Sequence, residues 1–469
     1  MNPSLGVDLY QLTSYLALRD YVPDAPLWMS FFFRRLPRNR RFVVACGYQE
    51  ILDHAERLTF RPRDLQFLRE VVPGRDERLI WDLENISGFT GDIDALPEGT
   101  LAHAGIARRT SGDVALVGGS PLCAATPLLQ VRTSLLQCKL VETPWLSRLN
   151  HMSMVASKAV RVAMAARFDG VDRPVYEFGQ RRTDPDAAVR ASYAAYIAGC
   201  AGTSNLAAAS VFGVPVAGTM DHFAVMACED GGSRDHSEGV AFRRMLEQAS
   251  ASVLLVDTYD TERGIRRAVQ AARDTSRPLK GIRIDSNVTE ETVRRARALL
   301  DELGSSQTRI TVSDGLDEHR VLKLAAAGAD AFGVGENITC SPDAATGIGA
   351  VGKVVSNSFG VPVMKTSSGS GKTTLPGPIQ CYRGDGYDLL QLEYEPAPSG
   401  LTPLLQPLWR GTRPVGPTSR PEDVRQYVRE QVDALPASMR ELGPESHTPA
   451  WRIVLSDALY GLTCRLAAQ

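Results

Sequence analysis

The stretch that decides the fold contains VLLVDT (253–258), GIRIDS (281–286), RITVSD (309–314) and DAFGVG (330–335), four short apolar runs with helix-like segments between them. Strands that are apolar on both faces and alternate with helices belong to parallel sheets, whose crossover helices cover both sides. Working outward, the same rhythm starts at PVYEFG (174–179) and VPVAGT (214–219) and extends to VPVMK (361–365). Roughly seven such units favour a closed α/β barrel over an open doubly wound sheet. The runs end in functional residue types: Arg181, Thr219 with His222, Asp257, Arg283 with Asp285, and Asp314. The C-terminal strand ends of a barrel converge on one site, so these side chains are predicted to share a mouth.

The flanks read differently. Residues 1–145 mix helical and strand patterns and include a small β-module, giving an N-terminal α+β domain. The barrel is assigned to 146–366, a boundary that falls within a long helical segment from Leu135 to Phe168. Residues 367–469, richer in Pro and Gly, read as a C-terminal accessory region packing on the N-terminal domain. A chain of 469 residues is long enough for two or three domains.

Composition narrows the function class. The formal net charge is −2, from 52 basic and 54 acidic residues. Nucleic-acid and membrane-surface binders carry a basic excess, so neither partner is expected. The eight cysteines are scattered singly with no C-x-x-C pair, which suits a reducing compartment and gives a structural zinc site no support. The N-terminal MNPSLGVDLYQLTSYL lacks the pattern of a signal peptide. The uncharged stretch Ala191–Met220 is interrupted by Gly, Ser, Thr, Asn and Pro, so it reads as a buried helix leading to a buried strand and not as a membrane span. A soluble cytoplasmic protein is expected. No metal ligands are legible.

Each motif has an ordinary structural reading beside the functional one. EFGQRR (177–182) sets two arginines just after a strand, where the two-pronged guanidinium suits phosphate or carboxylate. An arbitrary Arg pair makes surface salt bridges. The following DPDAA, with Pro in the first helical turn, fixes this pair at a strand end and favours function. A lone histidine is more often structural, but GTMDH (218–222) aims His222 at the same mouth, while Asp221 is free to stay merely exposed. VDTYDT (256–261) and GIRIDS place carboxylates and an arginine where they can hold sugar hydroxyls or a metal-bound diphosphate. Such negative charge also favours an oxocarbenium-like transition state, and the same Asp and Thr residues make ordinary helix caps.

Two phosphate-loop lookalikes fail. SSGSGKTT (367–374) has Thr366 where a Walker loop needs glycine, and LPGP follows where a helix must open. GIGAVG (347–352) has no clear strand before it and no acidic residue at the proper distance for a dinucleotide site.

Taken together, DLYQLT near the start, FFFRR, PEGT (97–100), LVET (140–143), SKAVR (157–161), EFGxRR, GTSN (202–205), FGVPVAGTMxH (212–222), VDTYDT, GIRIDS, LDE (316–318), FGVG, the MK…KTTLPG stretch and YR (382–383) resemble the nicotinate phosphoribosyltransferases, over about residues 7–385. The resemblance implies an irregular α/β barrel of the type II phosphoribosyltransferase kind. It implies an enzyme of the ligase/glycosyltransferase class that makes nicotinate mononucleotide and pyrophosphate from nicotinate and phosphoribosyl pyrophosphate, with Mg²⁺. ATP hydrolysis is implied to be coupled through a phosphorylated histidine, here His222. Phe178 is implied to sandwich the pyridine ring with Tyr10 from the other subunit of a homodimer. Arg181 would meet carboxylate or phosphate, Thr219 and Arg283 would contact substrate, and Asp285 would hold ribose hydroxyls or the diphosphate. Lys353, Lys365 and Lys372 match basic positions for phosphates. Asp257, Ser313, Asp314, Gly335 and Glu336 complete the candidate substrate contacts. Ser204 stands where the related nicotinamide enzymes carry Asp, which would repel a carboxylate substrate, so the acid is preferred here.

The chain departs from the family pattern at several strand ends. Asn287-Val288 replaces Gly-Asp after GIRIDS, Ser313-Asp314-Gly315 replaces SND or SGD, Asp221 replaces a small residue, and Ala201 precedes the GTSN glycine where Asp is usual. Glu336 puts a carboxylate where a Thr would serve a phosphate. A same-fold enzyme acting on another aromatic or pyridine acid therefore stays open, as does a non-catalytic homologue that binds without turnover.

Overall fold

The apolar runs of the central region do pair in parallel. In the computed structural model, which describes residues 3–72, 76–248, 252–366, 372–415, 419–443 and 451–469, the chain divides into two compact units. One is Lys158–Asp343, and the other combines Met1–Ser157 with Ala344–Gln469.

In the first unit six parallel strands lie in the order Gly202–Thr203, Val175–Glu177, Ala331–Val334, Arg309–Val312, Gly281–Ile284, Val253–Leu255. They form a curled, incomplete barrel. Ala331–Val334 is buried at every position, as a strand covered on both faces requires. The intervening helices include Thr261–Thr275, Glu290–Glu302 and Glu318–Ala326, and each starts at a side-chain cap, from Asp260, Thr289 and Asp317 respectively. Helix Thr261–Thr275 lies so close to the sheet at Gly264 that a Cβ there would meet the Val256 carbonyl oxygen at 1.9 Å.

Three local readings differ from the sequence expectation. VPVAGT contributes only a single parallel bridge, Thr203 to Val216, and the Ala191–Met220 stretch holds a two-residue strand and a second helix, Leu206–Phe212. VPVMK is not a barrel strand. It lies in the other unit, where Pro362 makes one antiparallel bridge to Ser356.

SKAVR and LDE meet inside the barrel unit. Buried Lys158 and Arg161 both pair with buried Glu318, Arg161 at 2.9 Å, and Lys158 also reaches Asp343 at 3.1 Å. Burial raises the Glu318 carboxyl, but the two cations outweigh it and the group titrates below its ordinary range.

The second unit has two six-stranded sheets. One is antiparallel and runs Val351–Ser356, Leu27–Phe32, Leu129–Thr133, Gly91–Ala95, Gln406–Gly411, Arg413–Pro414. The other is mixed, with Arg452–Leu455 parallel to both its neighbours, Tyr387–Leu392 and Ala104–Arg109. The last hundred residues thus share sheets with the first 145. Phe89 packs between Trp145 and Trp409 in its core, tilted against the first and edge-on to the second, with ring centroids 5.3 and 6.1 Å apart. The long helix runs Leu135–Ala166 and belongs to the barrel unit from Lys158 onward. Among the described residues no helix is long and apolar enough to cross a membrane, and no cysteine is paired.

Candidate active site

The C-terminal strand ends of the barrel unit open on a cavity of about 740 Å³. Val175–Glu177 leads into Phe178 and the turn Gln180–Arg182, which puts the Phe178 ring and Arg181 on the lining. Phe178 stacks on Tyr176, with centroids 6.2 Å apart and planes within 10°. Gly333 leaves room for the ring, since a Cβ there would stand 2.5 Å from it. The Arg283 guanidinium lies 6.0 Å from the centroid of the same ring.

Arg283 and Asp285 follow from Gly281–Ile284, whose period of two sends both to one face. Arg283 donates to the Met220 carbonyl at 3.2 Å and to the Asp285 carboxylate at 3.3 Å. The Asp285 amide donates to Asp257 Oδ2 at 2.8 Å. His222 Nε2 stands 3.9 Å from Asp285 Oδ2, and its Nδ1 is hydrogen-bonded to Thr258 Oγ1 at 3.1 Å. Asp257 and Asp285 are therefore not the helix caps, a task left to Asp260 and Thr289. Asp221 is exposed and caps the short helix His222–Met226 through the Ala224 amide.

Ser204, Thr219, Ser313, Asp314, Gly335 and Glu336 complete the lining among the expected residues. Glu336 does not stand alone, because Arg182 lies 4.0 Å away. Asp314 holds φ +108° beside an ion pair with Arg320 at 3.9 Å. Four buried polar atoms around the site, Thr219 Oγ1, Asp257 Oδ1, Arg283 Nε and Ser313 Oγ, have no hydrogen-bond partner among the described residues. Unsatisfied buried groups of both polarities suit a ligand rich in hydroxyl and phosphate oxygens.

Tyr10, Lys353, Lys365 and Lys372 are carried by the other unit. Tyr10 is exposed on helix Leu9–Leu18, and its hydroxyl is raised by partial burial and by Glu142 and Asp8. Lys353 is lowered by burial, and Arg34, Lys365 and Lys139 lower it further against the opposing pull of Glu142. Lys365 and Lys372 are exposed, and residues 367–371 of SSGSGKTT lie outside the described residues.

Comparison with known proteins follows the same lines. The family model described as nicotinate phosphoribosyltransferase (NAPRTase) N-terminal domain matches residues 5–150, and that of the nicotinate phosphoribosyltransferase (NAPRTase) family matches residues 174–396. The nicotinate phosphoribosyltransferase pncB2 of Mycobacterium tuberculosis is 33% identical over 476 residues, spanning 99% of this chain and 94% of its own. The chain belongs to the nicotinate phosphoribosyltransferase family. Another member, from Bacillus subtilis, is 33% identical over 392 residues, covering 81% of this chain and 73% of its own length. The crystal structure of human nicotinic acid phosphoribosyltransferase superposes with a TM-score of 0.76 at 24% identity, over 98% of this chain and 99% of that one, and so shares its fold.

Two residues of the family motifs were quoted in the sequence without a role. Thr258, within VDTYDT, holds the His222 ring, and Glu177, within EFGQRR, is buried and hydrogen-bonded to Thr203 and Thr339. Both roles come from contacts between residues far apart in sequence, which no spacing announces.

Proposed function

We propose that this chain transfers the phosphoribosyl group of phosphoribosyl pyrophosphate to nicotinate, giving nicotinate mononucleotide and pyrophosphate for NAD biosynthesis. The carrying observation is one cavity that combines an aromatic plate, Phe178, with Arg181 and Arg283 for anions and Asp285 for a ribose. The pyridine ring lies on Phe178 with its carboxylate toward Arg181, in a site where Ser204 adds no negative charge. The ring nitrogen attacks the anomeric carbon, forming the C–N bond as the C–O bond to pyrophosphate breaks and its electron pair leaves with the diphosphate. A pyridine nitrogen carries no proton there, so no general base is required. Positive charge develops on the sugar, and the Asp285 carboxylate favours it.

The residues fit a divalent cation of the Mg²⁺ type. Asp285 and the unpartnered Asp257 Oδ1 offer the one or two carboxylate oxygens such an ion takes when substrate phosphates and water fill its remaining positions. When bound, the ion neutralises charge on the diphosphate. His222 is the proposed acceptor of a phosphoryl group from ATP. With Nδ1 tied to Thr258, Nε2 is the nitrogen left to react, beside Asp285.

The assembly is proposed as a homodimer in which Tyr10 of a second copy closes over the acceptor. Leu206, Val211, Val216, Phe223 and Met226 are all exposed on the segment that supplies part of the lining, which supports burial of that face in an assembly. Eight unpaired cysteines support a cytoplasmic setting.

The test is incubation with phosphoribosyl pyrophosphate, Mg²⁺, ATP and a panel of pyridine and aromatic acids, following pyrophosphate release. Nicotinate is expected to be the preferred acceptor. Turnover confined to another acid, or none at all, would overturn this assignment.

A further inference from the structure

Glu177, next in sequence to the cavity-lining Phe178, has 1% of its surface exposed. Among the described residues no Lys or Arg forms an ion pair with it. Four donors converge on its two oxygens instead. Oε1 accepts from the Gly179 amide and from the Thr339 hydroxyl at 3.0 Å. Oε2 accepts from the Thr203 hydroxyl at 2.6 Å and the Ser192 hydroxyl at 2.8 Å. What the Glu177 side chain does is gather four polar groups at its two oxygens, at a reach that a shorter side chain does not have.

Three of those donors hang from segments that line the cavity. Gly179 follows Phe178, Thr203 precedes Ser204, and Thr339 ends the short helix begun by Glu336. Backbone bonds run alongside, from the Phe178 amide to Val334 at 2.9 Å and from the Ser204 amide to the Glu177 carbonyl at 3.1 Å. The junction is closed tightly. A Cβ at residue 179 would stand 1.8 Å from Thr339 Oγ1 and 2.9 Å from Glu177 Oε1.

We infer that Glu177 is a positioning residue for the acceptor end of the site, its buried carboxylate fixing Phe178 and Ser204 relative to each other. This rests on the proposed function and deepens it by separating the ring-holding half of the cavity from the half that holds the phosphoribosyl donor. Asp285 and Arg283 come from a strand that Glu177 does not touch, and of the two only Arg283 reaches the ring-holding half, over the face of Phe178.

Two substitutions divide charge from reach. In Glu177→Gln the amide oxygen keeps Gly179 and Thr339, and the amide nitrogen donates to Thr203. The Thr203 hydroxyl then turns to Ser192, 3.1 Å away, and Ser192 to the Ala188 carbonyl at 2.9 Å, so no group is orphaned. Glu177→Asp keeps the charge but falls one methylene short of its donors. Steady-state kinetics are expected to show the nicotinate KM of Glu177→Asp raised about tenfold or more, with the phosphoribosyl pyrophosphate KM within about threefold of wild type. Glu177→Gln should fall nearer wild type. A purely structural role would lower the folded fraction and kcat, leaving both KM values alone. Both constants unchanged, or both raised alike, overturns the inference. Should Glu177→Asp fail to accumulate as folded protein, Glu177→Gln and Thr203→Val decide by the same split. A wild type inactive on nicotinate overturns the proposed function and not this inference, because the split is then read with whichever panel acid the wild type uses or, by calorimetry, binds.

Discussion

Replacing Gly333 with Ala puts the acceptor site to a direct test. The added methyl carbon would sit 2.5 and 2.6 Å from two carbons of the Phe178 ring and 3.2 Å from Ser313 Cβ. Non-bonded carbons rest at about 3.5 to 4.0 Å, so the ring or the strand must give by about 1 Å. The strand has little freedom, since Ala331–Val334 is buried throughout and paired on both sides. The ring therefore moves, and it is the surface on which the pyridine is proposed to lie. A misplacement of about 1 Å at a reacting centre costs on the order of a hundredfold, and overpacking costs about 1 to 3 kcal/mol of stability. Gly333→Ala is expected to stay folded and to lose about ten- to a hundredfold in kcat/KM for nicotinate. Initial rates at varied nicotinate with saturating donor, beside thermal melting, would measure both. A folded variant with wild-type kcat/KM would refute the claim that Phe178 carries the ring.

Ser204→Asp sets a second carboxylate near that of the substrate. At about 4 Å the repulsion is about 1 to 4 kcal/mol, so KM for nicotinate should rise about fivefold or more with nicotinamide little affected; equal effects on both would show that the ring carboxylate lies elsewhere. Labelling from γ-³²P-ATP should be present in wild type and vanish in His222→Ala, and label persisting in the variant would remove His222 as the acceptor. His103, buried in the second unit with neither ring nitrogen hydrogen-bonded among the described residues, is pushed down from 6.5 to about 3 by burial. Its folded-state pKa is depressed, so the stability it contributes is present above about 6.5 and is lost as pH falls toward 3. At pH 5 that loss is about 2 kcal/mol, and His103→Phe, which removes no ring hydrogen bond, should melt with a flatter acid limb between pH 7 and 5. An acid limb as steep as that of wild type would show that the ring is not held neutral.

The barrel was legible where strands are apolar on both faces and long enough to show it. Gly202–Thr203 was not, because two residues carry no period, and its place beside Val175–Glu177 depends on pairing alone. VPVMK misled because an apolar run records burial without recording which sheet provides it. The arginines and acidic residues of the cavity were legible as candidates because they stand at strand ends, but the hydrogen bonds of Glu177 and Thr258 were not. Two apparent departures from the family pattern are conformational matches. Asn287 and Asp314 replace residues that are usually Gly or Asn, and they adopt φ of +52° and +108°. Asn and Asp are the residues other than Gly that most readily enter this region, so the backbone demand survives the change of letter.

The charge around the cavity limits how the donor can be held. A site that captured a polyphosphate by charge alone would carry a surplus of cations, whereas here Arg181, Arg182 and Arg283 face Asp221, Asp285, Asp314 and Glu336. Three of these carboxylates are already engaged by arginine, Asp285 by Arg283, Glu336 by Arg182 and Asp314 by Arg320, so none of the three meets an incoming phosphate as an unopposed anion. Arg182 and Arg320 are in turn partly spent on them. Under the proposed reaction the lining is thus matched to the acceptor and the ribose, and the neutralising charge for the diphosphate has to arrive with the substrate as a divalent cation. The same balance serves catalysis. Arginines crowded onto the sugar would oppose the positive charge that develops as pyrophosphate departs, whereas Asp285, close to Arg283 and to the edge of His222, leaves negative charge where that cation forms.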